Sequence, residues 1–397
     1  MRIGILTFHR SFNYGAFMQC FSLVTRLKRT FPGSDIEVVD YTSMNALAGY
    51  DDEIKRAEPD IANKLKSRNS SFKQCQEILP LSNRRIISDD IEDITHFLNE
   101  NYDVIVVGSD AVWNWMSRGF PNVYFLKDYK GVKLSYAASA HGQIYQNMTD
   151  EQRSYLADSF SKFRYIGVRD TTTENLVHYV DPNISVNHNC DPTMFLDLND
   201  VPCDMDALKE KMVAHGVDFS KPLIGLMAGD CLGYEIKKHY GDEIQLVSLY
   251  EPNKYADVYL CDLTPFEWAH VFSYFKVTIT HFFHGTMLSL VNSTPVIPIE
   301  LTNSFSVKNK TKINDLMTRI GLQEWRHEID VFNESLFRKV LRKLRLTCNS
   351  DLWSDVFRQI DSFMMVDKSQ LIKNAVNKER LHADSFFEAL QEVINKQ

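Results

Sequence analysis

Short apolar runs rich in β-branched residues recur along the chain, each followed by a small or polar turn and then a segment with helical spacing. In the first half these runs are Ile3–Thr7, Ile36–Asp40, Val104–Val107, Leu134–Ala138 and Tyr165–Val168. The alternation predicts parallel βα units, because a strand covered on both faces reads as a continuous apolar run. After the turn Cys190-Asp191-Pro192-Thr193 the same grammar restarts with Leu223–Met227, Ile244–Leu249, Val277–Thr280 and Val296–Ile299. Two doubly wound α/β domains are expected, residues 1–200 and 201–397. The charged stretch 51–83 has few β-branched residues and predicts a helical insertion in the first domain. From Asn314 the pattern turns helical, with Leu336, Val340, Leu341 and Leu344 at helical spacing and a last segment from Asp384 to Asn395. These helices are expected to complete the second domain.

Composition narrows the class. A chain of 397 residues exceeds one ordinary hydrophobic core, which supports the two-domain reading. With 44% hydrophobic and 24% charged residues it has the make-up of a folded globular protein, so disorder is set aside. A net charge of −8 argues against nonspecific binding to nucleic acid and leaves any anion site to be found residue by residue. The seven cysteines, at 20, 75, 190, 203, 231, 261 and 348, never form CxxC, so neither a disulfide framework nor a structural zinc site is expected. No metal and no cofactor is anticipated. The opening Met1-Arg2-Ile3-Gly4 is unlike a leader peptide, and no apolar stretch reaches the ~20 residues of a membrane helix, so a cytoplasmic location is expected.

In open α/β sheets ligands bind beyond the carboxyl ends of the strands. Five such turns carry candidate chemistry. The first, Phe8 to Ala16, sets Asn13, Tyr14 and Gly15 before a helix; Asn13 either caps that helix or helps its N–H groups face a ligand. It lacks GxGxxG, so no dinucleotide fingerprint is present. The second, Gly108-Ser109-Asp110 with Trp113, puts a hydroxyl, a carboxylate and an aromatic ring together, a combination suited to sugars and equally to helix capping. The third ends in Ser139-Ala140-His141. The fourth is Val168-Arg169-Asp170, whose arginine either grips an anion or pairs with Asp170 or Glu174. The fifth is His281-Phe282-Phe283-His284-Gly285-Thr286, in which His284 stands beside a helix N-terminus. There an imidazole can exchange a proton while backbone N–H groups meet an anion; a packed core histidine is the plain alternative.

Taken in order, Asn13-Tyr14-Gly15-Ala16, Val107-Gly108-Ser109-Asp110 with Trp113, Ser135-Tyr136-Ala137-Ala138-Ser139, Val168-Arg169-Asp170, Asp191-Pro192-Thr193 and His284-Gly285 resemble the polysaccharide pyruvyl transferase family. Lys312-Ile313-Asn314-Asp315-Leu316 and Ile320-Gly321-Leu322 extend the likeness. The resemblance implies two Rossmann-like domains facing across a cleft, as in GT-B glycosyltransferases. It also implies transfer of pyruvate from phosphoenolpyruvate onto a sugar, or a lipid-linked oligosaccharide, as a cyclic ketal. By position His284 would be the catalytic histidine and Arg169 a donor ligand, with Gly285 and Thr286 beside the donor. His141 lies where some members place an acceptor-side residue. In the mechanism expected for such a reaction Asp110, or in its place His141, would accept the hydroxyl proton, and Asn13, Tyr14, Ser109 and Trp113 are further acceptor-side candidates.

One departure stands out. Family members often carry an arginine two residues before the histidine, where this chain has Phe282. Lys308, Lys310 and Lys312 are the nearest replacements in sequence. The rival readings are a nucleotide-sugar glycosyltransferase on the same architecture and a catalytically decayed glycan-binding homologue. The basic amphipathic stretch Phe337 to Arg345 adds peripheral contact with an anionic membrane as a further expectation. Oligomeric state is left open by the sequence.

Overall fold

Each apolar run becomes one strand of a parallel sheet. The computed structural model describes residues 1–44, 54–55, 58–302, 311–330 and 350–396. Its first sheet has the order β2-β1-β5-β6-β7-β8, formed by Asp35–Val38, Arg2–Leu6, Val104–Val107, Val132–Ala138, Phe163–Val168 and Asn187–His188. The short strands β3 (Tyr41–Thr42) and β4 (Ile86–Ile87) form a separate parallel pair. The second sheet runs β11-β10-β9-β12-β13-β14, from Val258–Leu260, Gln245–Leu249, Leu223–Met227, Val277–Thr280, Val296–Thr302 and His327–Asp330.

Both sheets reverse direction once. In the first, the chain leaves β1 for β2 on one side and later returns to β5 on the other. In the second, β9 is followed by β10 on one side and β12 on the other. At such a switch point the connections on either side of two adjacent strands diverge and leave a crevice at the carboxyl ends. Register fixes what meets there: Leu6 lies beside Val107, and Met227 beside Thr280. The turns after β1 and β5, and those after β9 and β12, are therefore neighbours.

The chain divides into two units, Met1–Leu196 with Glu379–Gln397, and Asp197–Lys378. The C-terminal segment therefore belongs to the first unit, not to the second as its position in sequence suggested. Aromatic packing explains this: Phe386 of the helix Asp384–Asn395 sets its ring 4.7 Å from Tyr136 of β6 and 5.7 Å from Tyr165 of β7. Ser385 hydrogen-bonds the Tyr165 hydroxyl at 2.8 Å.

The insertion is helical over Pro59–Gln76 and covers the turn after β1. Phe72 packs against Tyr14 (4.8 Å) and Phe12 (6.0 Å), and Gln76 donates to the Ser11 carbonyl. A charged clamp locks it in place. Arg10 donates Nε and Nη2 to the two oxygens of Asp40 at 2.8 and 2.6 Å, and Nη1 to Glu77 at 2.5 Å. His9, fully buried, places Nε2 3.0 Å from Asp40. No helix among the described residues is long and apolar enough to cross a membrane. The basic stretch Phe337 to Arg345 lies outside the described residues.

Candidate functional site

In the first unit the turn after β5 is shaped by backbone geometry. Gly108 has φ +108°, and a Cβ there would lie 2.4 Å from the Tyr136 carbonyl, so no other residue fits. Asp110 follows with φ 79°, a left-handed conformation that a non-glycine residue adopts only under restraint. The restraint is visible. The Asp110 carbonyl accepts from Val112 N and Ser139 N, and its Oδ1 accepts from Ala111 N at 2.7 Å. Its carboxylate remains about one-fifth exposed.

Arg169 and Asp170, at the end of β7, gather the surrounding turns. Arg169 is buried and donates Nη1 to Asp191 Oδ2 at 2.7 Å, while Nη2 lies 4.0 Å from Asp110 Oδ1. Burial opposes its charge, yet Asp191, then Asp110 and Asp170, more than offset that and raise its pKa. Asp170, also buried, caps the helix Thr171–Val180 by accepting from Thr173 N. It accepts further bonds from the hydroxyls of Thr173 (2.6 Å) and Ser139 (2.5 Å). Burial alone would raise its pKa; Arg169 and the two hydroxyl donors together hold it below the usual carboxylate range. The Ser139 hydroxyl in turn accepts from His141 N, and Asn114 donates to the His141 carbonyl at 2.7 Å.

Several expected contacts are corrected by this geometry. Arg169 has a side chain only 1% exposed, pairs with Asp191 and has Asp110 4.0 Å away, while Asp170, the neighbour the sequence offered, acts on it through its charge. Trp113 is wholly buried against Phe160 and Phe163 and donates its indole N–H to the Tyr124 carbonyl, so its ring belongs to the core and not to a sugar platform. Tyr14 is buried on Phe72. Asn13 caps the helix Tyr14–Thr30, accepting from Ala16 N at 3.0 Å. Ser109 is buried, and its hydroxyl has no partner among the described residues.

In the second unit His284 occupies the first turn of the helix Phe283–Val291. Its N-cap residue is Phe282, whose side chain has no acceptor and gives the helix no side-chain cap. The turn is close-packed: a Cβ on Gly285 would come within 2.6 Å of the Met227 methyl and 2.7 Å of the Thr280 hydroxyl. Thr286 is buried and donates its hydroxyl to the Phe282 carbonyl at 3.2 Å. Phe282, in the place of the expected arginine, packs against Tyr250 (5.0 Å) and His281 (4.1 Å). His281 is held below the usual histidine pKa by burial, against the pull of Glu251 3.8 Å away.

Among the described residues, Lys312 brings a cation to this turn. Lys312, at the start of the helix Lys312–Arg319, holds its ammonium 5.1 Å from the Phe283 ring centre, and that ring lies 5.3 Å from the His284 imidazole. Lys308 and Lys310 fall outside the described residues. The sequence pointed to three lysines without choosing among them; helix capping by Thr311, which accepts from Asn314 N, fixes where Lys312 starts its helix.

Two α/β units with parallel six-stranded sheets, each carrying its polar residues at the carboxyl edge, define a chain of the GT-B-like class. The sequence pattern of the polysaccharide pyruvyl transferases matches residues 13–303, and the chain belongs to that family. No curated protein matches it by sequence. Among solved structures it is similar to the UDP-GlcNAc 2-epimerase from Neisseria meningitidis, with TM-score 0.52 and 9% identity, over 99% of this chain and 100% of that one. The Methanocaldococcus jannaschii UDP-GlcNAc 2-epimerase gives TM-score 0.49 and 10% identity, over 91% of this chain and 100% of that one. The E. coli ADP-heptose heptosyltransferase II gives 0.40 and 12%, over 92% and 99%. At such identities the likeness concerns fold alone.

Proposed function

We propose that this transferase moves the pyruvyl group of phosphoenolpyruvate onto two hydroxyls of a sugar, in a cell-surface polysaccharide or its lipid-linked precursor, forming a cyclic ketal. The observation that carries the reading is the His284 turn of a chain in this family: an imidazole in the first turn of an uncapped helix, with the Lys312 ammonium one aromatic ring away. Phosphoenolpyruvate brings a phosphate and a carboxylate, which a helix N-terminus and a lysine can hold. Lys312 then takes the part of the arginine that Phe282 displaces.

In the proposed reaction the His284 imidazolium gives its proton to the methylene carbon, which becomes the methyl group. A sugar hydroxyl adds to the adjacent carbon and releases its proton to a base, for which Asp110 is the candidate. The second hydroxyl then forms the other C–O bond as the bond to phosphate breaks, and its proton leaves with the phosphate. General acid catalysis of this kind is worth ~10²–10⁴-fold. Arg169 serves by holding Asp110 and Asp191, without touching the donor.

The test is to incubate the full chain with phosphoenolpyruvate and extracted glycan intermediates, following phosphate release and the pyruvyl mass on the glycan. Both signals together are expected. Turnover or thermal stabilisation with a nucleotide sugar, and none with phosphoenolpyruvate, would reverse the reading in favour of glycosyl transfer.

A further inference from the structure

The amino-terminal edge of the first sheet, opposite the turns described above, carries a second cationic site. A cavity of about 450 Å³ opens where β6 and β7 begin, lined by Val132, Lys133, Lys162, Phe163, Arg164 and, from the last helix, Val393 with Lys396. That volume is in the range of small-molecule sites. Four cations facing one cavity are unexpected in a chain whose net charge is −8.

Two of the four are countered at the rim. Lys162 lies 2.8 Å from Asp158, and Arg164 lies 3.0 Å from Glu392. Among the described residues neither Lys133 nor Lys396 has a carboxylate partner. Lys133 is the unusual member, because its side chain is buried and its ammonium donates only to the Lys127 carbonyl, at 3.0 Å. Its pKa is lowered to about 8, first by burial and then by Lys162, against smaller pulls from Asp128 and Asp158. The other charged group nearby, Lys127, is turned onto the Tyr155 ring at 4.2 Å. A buried ammonium without a counter-charge is costly, and an anion in the cavity would supply what the protein withholds.

We propose that this cavity is a binding site for a small phosphate- or sulfate-type anion borne on a compact organic group, with Lys133 and Arg164 as its principal ligands and Val132, Phe163 and Val393 as the apolar wall. The anion is either a free metabolite or the headgroup of an anionic lipid. Because it sits at the opposite end of the strands from Asp110, its occupant is a modulator or an anchor and not a substrate.

Sulfate is the probe of choice, since its charge is constant between pH 7 and 9 and any change in affinity reports on the protein. Calorimetric titration of the full chain should show sulfate binding that weakens about tenfold from pH 7 to pH 9, as Lys133 loses its proton. Lys133→Met should weaken it by about tenfold or more, and Arg164→Gln, a change at a half-exposed side chain that folding tolerates, should weaken it several-fold. His284→Gln should leave this binding unchanged. Co-sedimentation with phosphatidylglycerol vesicles, lost in Arg164→Gln, would identify the lipid headgroup as the source; sulfate binding without sedimentation would identify a free metabolite. Sulfate affinity that ignores both substitutions, or ignores pH, would overturn the proposal.

Discussion

The carboxyl edges of the two sheets use charge in opposite ways. In the first unit Arg169 sits among three carboxylates, Asp191, Asp110 and Asp170, whose excess negative charge is met by backbone N–H and hydroxyl donors, and of these four residues Asp110 stays in part exposed. In the second unit, among the described residues, the His284 turn is bordered by the rings of Phe282, Phe283 and Tyr250, with Glu251 3.8 Å from His281; its N-cap residue gives the helix no side-chain cap, and Lys312 arrives from another element. The first edge is held by its own ion pairs and hydrogen bonds; the second is the one that, in the proposed function, receives the charged donor. A buried, paired network meets its charges with internal partners, whereas a helix N-terminus is a position at which an anion is stabilised.

The sharpest way to test that contrast is at His284. His284→Gln should lower kcat by ~10²–10⁴-fold while the melting temperature stays within the range of a surface change. A variant that retains near-normal phosphate release would remove the second edge from the chemistry.

Arg169 should behave in the opposite manner. Arg169→Met leaves the Asp191 carboxylate buried without its partner, and breaking a buried pair costs about 3–5 kcal/mol of stability. The double variant Arg169→Met/Asp191→Leu should recover much of that stability, because the uncompensated charge is gone. Urea denaturation measures both. A stable Arg169→Met protein whose only defect is a raised KM for phosphoenolpyruvate would restore the arginine as a donor ligand.

Much of the fold was legible in the sequence because parallel strands covered on both faces announce themselves as apolar runs. Val104–Val107, Leu223–Met227 and Val277–Thr280 have the bounds that their β-branched composition predicts. In the two six-stranded sheets the strands that escaped notice, Asn187–His188, Val258–Leu260 and His327–Asp330, all lie at sheet edges, and like the separate pair Tyr41–Thr42 and Ile86–Ile87 they are too short or too polar to stand out as apolar runs. At the site, residue type revealed which turns matter and not which way the side chains face. Trp113 and Tyr14 read as binding aromatics from their neighbours in sequence, yet each is claimed by a partner far along the chain, Phe160 and Phe72. The Arg169–Asp191 pair was likewise invisible, since it joins the ends of two adjacent strands 22 residues apart. The clamp of Arg10, Asp40 and Glu77 escaped for the same reason, although Arg10 beside His9 in a strand-end turn was the signal available.

Lys312 sharpens the second half of the comparison. If its ammonium replaces the arginine missing at Phe282, Lys312→Met should raise the KM for phosphoenolpyruvate by about 10–100-fold, the loss of a charge-assisted contact of ~1.5–3 kcal/mol, and change kcat much less. Lys312→Arg should retain most of the affinity. Steady-state kinetics at saturating acceptor separates the two constants; an unchanged KM in Lys312→Met would leave the anion to the helix N-terminus alone.

The smallest effect expected belongs to the clamp that holds the insertion on the first unit, and it is read through pH. Burial lowers the pKa of His9 below the ordinary 6.5, outweighing its contact with Asp40, so the folded protein keeps this ring neutral where the unfolded chain would protonate it. A lowered folded-state pKa means full stability above about pH 6.5 and progressive loss as pH falls below it, at no more than ~1.4 kcal/mol per pH unit for one proton. Asp40 acts in the same sense further down. Its carboxyl, which burial alone would raise, is held well below its usual range by Arg10 and His9, so its contribution is present above about pH 4 and fades in stronger acid. Other histidines titrate in the same window, so the informative quantity is the difference between wild-type and His9→Gln denaturation midpoints across pH 5–8. The wild type should lose its advantage over the variant as pH falls from 7 to 5. A difference that grows as pH falls would mean that folding raises the His9 pKa, making the clamp a charged triad instead of a neutral ring beside an ion pair, and a flat difference would mean that folding leaves the titration of His9 unchanged.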